Sequence, residues 1–66
     1  MPKPDTFATR LAALRREAAL SVAELAQRAG LTRQYLHLLE RGQREPSLRV
    51  AADLAAALGR DLTCWN

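Results

Sequence analysis

The stretch LTRQYLHLLERG, Leu31 to Gly42, decides how the rest of the chain is read. Thr32 is of the N-cap type, Leu36 and Leu39 are spaced by three, and Gly42 supplies a stop. The spacing predicts a helix over Arg33–Arg41 with Leu36 and Leu39 facing inward. Arg33, Gln34 and His37 then fall on the outer surface, with Thr32 at the N-terminus. Glu40 sits beside Leu39 on the inward side, where a carboxylate without a partner is costly.

Working outward, Ser21 and Glu24 have capping-box spacing and open a helix over Val22–Ala29. Its apolar stripe is Val22, Leu25, Ala26 and Ala29, and Gly30 ends it. Ala26 is expected to be small because two helices cross there. Gly30 is expected to turn sharply, at a point where a Cβ would clash. Upstream, Phe7, Leu11, Leu14 and Ala18 share one face of a helix over Phe7–Ala18, capped by Thr6. Downstream, Gln43 to Pro46 reads as a turn, with Glu45 extended before the proline. Ser47 caps a fourth helix over Leu48–Leu58, with Leu48, Ala51, Leu54, Ala55 and Leu58 inward, Val50 outward and Gly59 as its stop. Asp61 caps a short fifth helix holding Leu62 and Trp65. Residues 1–5, with two prolines, read as an N-terminal arm, and residues 6–66 as one all-α domain of four to five short helices.

Composition agrees with that class. The chain has 66 residues and is 48% hydrophobic, rich in Ala and Leu, which favours helix over sheet. A chain this short buries a modest share of its surface, so close-packed helices must stabilise it, with or without a partner chain. One cysteine, Cys64, excludes an intrachain disulfide, and no His/Cys cluster offers a metal site. The net charge is +3, with nine arginines and one lysine among the ten basic residues, and leans toward a polyanionic partner. No apolar run approaches the roughly 20 residues of a membrane span. The start MPKPDT lacks the apolar stretch of a signal peptide, so a cytoplasmic location is expected.

The segments LAALRREAALS, ELAQRAGLT, YLHLLERGQREPS and LAAALG, in that order, resemble the lambdoid phage repressor and Cro family of DNA-binding domains over about Phe7 to Trp65. The resemblance implies a helix-turn-helix whose second helix enters the major groove, used by a symmetric dimer on operator DNA. Family positions matching Arg33, Gln34 and His37 face base edges, with Thr32 as cap and contact. The chemistry suits this: Arg bonds guanine O6 and N7, and Gln bonds adenine N6 and N7. Phosphate contacts are expected from Arg41, Gln43 and Arg44, from the Tyr35 hydroxyl, and from the Ser47 backbone at a helix start. Glu45 opposes them by repulsion. Arg15 and Glu40 match positions that form a partly buried ion pair. The chain departs from the family at Val22, where Gln commonly reaches a phosphate, leaving Ser21 as a weak substitute. It departs again at Leu38, read as a partly buried packing residue or a contact to a thymine methyl. Cys64 is read as packing or as a redox switch, Trp65 as closing the core or meeting a second copy, and Val50 as an interface residue.

The expectation is a transcriptional regulator that binds a palindromic operator as a homodimer and needs no cofactor or metal. The alternative is an antitoxin-like interaction module that neutralises a protein partner; a toxin-like protein or a sensor domain are the partners considered. An enzyme has least support. Glu40 has no second acid or nucleophile beside it, and His37 has no partner ligands.

Overall fold

The computed structural model describes residues 6–65; the expected N-terminal arm and Asn66 lie outside the described residues. Among the described residues the elements are α1 (Phe7–Glu17), α2 (Val22–Ala29), α3 (Arg33–Glu40), α4 (Leu48–Ala57) and a 3₁₀ turn (Leu62–Trp65), with no strand. The all-α class holds, and the fifth element is 3₁₀ rather than α.

Each α-helix starts on a hydroxyl cap. The side chains of Thr6, Ser21, Thr32 and Ser47 accept from the backbone N–H groups of Thr9, Glu24, Tyr35 and Val50. The capping box is complete, since Glu24 Oε1 accepts from the Ser21 N–H at 2.8 Å. That backbone N–H, then the Ser21 hydroxyl, holds the Glu24 carboxyl below its ordinary range. Its contribution is present at neutral pH and lost as pH falls through the lowered value. Asp61 caps the 3₁₀ turn by accepting from the Thr63 N–H at 3.1 Å and from the Thr63 hydroxyl.

The helices also end alike. Leu20, Leu31, Gln43 and Arg60 each donate a backbone N–H to the carbonyl five residues earlier, after a left-handed residue. That residue is Gly30, Gly42 or Gly59 in three helices, but Ala19, at φ 58°, in the first. The expected clash at Gly30 is absent: a Cβ there would meet nothing within 4 Å, and the requirement for glycine is φ +73° alone.

Leu11, Leu14, Leu20, Leu25, Ala26, Leu36, Leu39, Leu54 and Ala55 are buried. The principal packing pairs are α2 on α4, α2 on α3, α1 on α3, and α4 on the 3₁₀ turn. Ala26, 2% exposed, fits the small-residue expectation at the helix crossing. Three expectations about faces fail. Ala18 is exposed, because the left-handed turn at Ala19 sends Leu20 into the core instead. Leu48 is 77% exposed and Val50 packs on the core. At about 100° per residue, Val50 lies about 40° from the buried Leu54 and Leu48 about 120° from it. The expected ends of α1, α3 and α4 each fall one residue short, at Glu17, Glu40 and Ala57. Trp65 takes the core-closing role: its ring lies 4.5 Å from that of Phe7, and its indole Nε1–H donates to the Ala51 carbonyl at 2.9 Å. Burial is the main reason the Cys64 thiol is pushed up, which keeps it protonated and favours the packing reading.

The ion pair between α1 and α3 is present. Arg15 Nε donates to Glu40 Oε2 at 2.6 Å and Nη2 to Oε1 at 3.1 Å, while Nη1 donates to the Leu20 carbonyl at 2.9 Å. The side chains are 15% and 10% exposed, and the bonds to Glu40 hold the guanidinium above its ordinary pKa.

Two outcomes are expected in urea unfolding. Ala19→Gly relieves the left-handed backbone at about 1–2 kcal/mol and loses about 0.4–1 kcal/mol to unfolded-chain entropy, so the net change is a stabilisation of about 0.5–1 kcal/mol. A destabilisation would show that the strain is absent. Glu40→Ala leaves Arg15 unpaired and costs about 3 kcal/mol, whereas Arg15→Met with Glu40→Leu recovers most of that loss. A double variant no more stable than the single one would contradict a cost that arises from the unpaired charge.

Candidate nucleic-acid interface

The outer edge of α3 follows from its inner edge. Leu36 and Leu39 are fully buried against the bundle, so the side chains at intervening positions are turned outward. Arg33, Gln34, His37 and Arg41 are exposed, while Tyr35 and Leu38 are half-buried. Thr32 heads the helix, exposed, its hydroxyl oxygen accepting from the Tyr35 N–H at 3.1 Å.

Three of the four residues expected to face bases lie together. Arg33, Gln34 and His37 line one recess of about 530 Å³, whose remaining walls are Val22 from the start of α2 and Leu38 from α3. Thr32 stands outside that lining, at the helix N-terminus. The recess is therefore a polar rim on α3 around two aliphatic side chains. Val22 and Leu38 are far apart in the sequence; that they line one recess depends on the angle between α2 and α3, which spacing does not carry.

The expected phosphate contacts surround this edge. Ser21 is exposed, and its hydroxyl oxygen is engaged by the Glu24 N–H at 3.0 Å. Arg41, Gln43 and Arg44 are exposed in the connection after α3. The Arg44 guanidinium lies over the Tyr35 ring, 5.9 Å from its centroid. This contact, invisible to sequence reasoning, draws the loop cation toward the side of α3 that carries Tyr35. Ser47 is exposed, and its hydroxyl oxygen accepts from the Val50 N–H at 3.1 Å. Arg15 and Glu40 are apart from these groups, bonded to each other as described.

A second recess, of about 340 Å³, is lined by Phe7, Leu48, Ala51, Leu62, Thr63 and Trp65. It contains Leu48 and Leu62, the exposed large hydrophobic residues of the described chain, at 77% and 43% exposure. It shares no lining residue with the recess on α3. Among the described residues no helix is long and apolar enough to cross a membrane.

A family model described as helix-turn-helix matches residues 11–63. Over 47 residues the chain is 49% identical to an HTH-type transcriptional regulator of Methanothermobacter thermautotrophicus, covering 71% of this chain and 68% of that one. It is 41% identical over 54 residues to the immunity repressor protein of Bacillus phage phi105, covering 82% of this chain but only 38% of the repressor. Among solved structures it is similar to the restriction-modification controller protein C.AhdI from Aeromonas hydrophila, with TM-score 0.88, 40% identity and 91% of each chain covered. With α2 and α3 arranged as above, these matches show that the chain belongs to the helix-turn-helix family of DNA-binding transcriptional regulators.

Proposed function

We propose that the protein regulates transcription by binding a palindromic operator as a homodimer, with α3 in the major groove. The observation that carries this reading is the two-sidedness of α3. Its apolar residues Leu36 and Leu39 are fully buried, and Arg33, Gln34 and His37 remain exposed around one recess. In this reading Arg33 bonds guanine O6 and N7 and Gln34 bonds adenine N6 and N7, with Thr32 and His37 reaching neighbouring edges.

Register comes from the phosphates. Arg41, Gln43 and Arg44 supply donors, and the Tyr35 hydroxyl and Ser21 flank the helix. The contact between Arg44 and Tyr35 supports their acting on one strand. Ser47 satisfies the Val50 N–H, and the remaining N–H groups at the head of α4 favour an anion.

The dimer joins two weak contacts into one strong one. The apolar recess around Leu48 and Leu62 supports a second copy as its occupant, because filling it leaves the α3 recess untouched. A two-fold dimer then presents its α3 helices to half-sites about 34 Å apart. The same recess favours a second reading, in which a different protein, of the antitoxin-partner kind, docks there.

Gel shifts against a panel of operator variants test the main reading. Arg33→Ala and Gln34→Ala each relax the preference at one base pair by about 1–3 kcal/mol. Arg44→Ala weakens binding to all variants alike and lowers the slope of log affinity against log salt by about 0.9. Unchanged base preference in both α3 variants would contradict the assignment.

A further inference from the structure

Two aliphatic walls of the α3 recess are not used by the hydrogen bonds proposed above: Val22 has no contact assigned, and Leu38 alone is read as packing or as a thymine-methyl contact. Val22 and Leu38 are both half-buried, and Arg33, Gln34 and His37 stand exposed around them. Neither aliphatic side chain has a donor or an acceptor. A polar base edge pressed against them would lose its water and gain no bond in return. The major-groove floor carries one apolar group, the C5-methyl of thymine, and a methylated cytosine presents the same group.

We infer that Val22 and Leu38 form a notch that receives the C5-methyl of one pyrimidine in each half-site. This rests on the DNA-binding reading and adds to it a position at which specificity comes from shape rather than hydrogen bonding. The rim explains how the methyl is aimed. With Arg33 and Gln34 bonded to adjacent base edges, the groove floor between them is held against the aliphatic pair. Thymine fills the notch; cytosine and uracil, with hydrogen at C5, leave a void whose walls lose dispersion contacts. The notch therefore distinguishes T from C without touching the atoms that differ in hydrogen bonding.

The test uses the full chain and an operator selected from a random duplex pool. Each thymine is replaced in turn by deoxyuridine, which removes only the methyl, and affinity is read by fluorescence anisotropy. One position per half-site is expected to lose about three- to tenfold, the scale of one buried methyl group. At that position 5-methylcytosine, paired with guanine, binds more tightly than cytosine. Val22→Ala and Leu38→Ala, which shorten the aliphatic walls, each reduce the thymine-to-uracil ratio toward one, with folding checked by circular dichroism. Selective binding with equal affinity for thymine and uracil at every position overturns the notch and leaves the DNA-binding reading intact. A uracil effect that persists in both variants overturns the assignment to Val22 and Leu38. Absence of duplex binding removes the notch and the reading together.

Discussion

The Arg15 guanidinium sets the orientation on which the rest of the structure depends. It grips both oxygens of Glu40 at the end of α3 and the carbonyl of Leu20 in the connection between α1 and α2. One planar group thus ties α1 and the connection directly after it to the end of α3, which is distant in sequence. Its fork geometry favours a single arrangement of the three, which a lysine in its place would not enforce. Glu40 follows Leu39 directly, so holding the carboxylate inward also fixes the rotation of α3 about its axis. That rotation agrees with the one set by the buried Leu36 and Leu39, which leaves Arg33, Gln34 and His37 outside.

The helices that carry this arrangement are short, at 8 to 11 residues. Such lengths are marginal in isolation, so the ends and the core must supply what propensity cannot. All four begin on Ser or Thr and end through a left-handed residue, which satisfies backbone groups that would otherwise be orphaned. The core is almost entirely leucine, closed at one end by Phe7 against Trp65.

What was legible in the sequence was local. Caps and stops depend on residues within one turn, and Ser21 with Glu24 or Gly30 could be read directly. The outward edge of α3 followed from Leu36 and Leu39 by helical angle alone. Leu48 was misplaced because a stripe counted in steps of three and four drifts over three turns, and its apolar character suggested burial. Ala19 carried no signal at all: its left-handed backbone is imposed by the need to bring Leu20 and its carbonyl to the core and to Arg15. The Arg15–Glu40 pair came from family resemblance and not from spacing. In the candidate site, the residue types on α3 were legible, but the apolar floor and the Arg44–Tyr35 contact required the angle between elements.

In the proposed function α3, locked by α1 and α2, presents its outer edge to duplex DNA. Backbone amide NMR of the full chain, titrated with a selected operator duplex, tests this most directly. The largest shifts are expected at Thr32 to His37 and at Arg41 to Ser47, with Leu11, Leu14 and Leu54 unmoved. Shifts concentrated at Leu48, Leu62 and Trp65, with α3 unchanged, would contradict it.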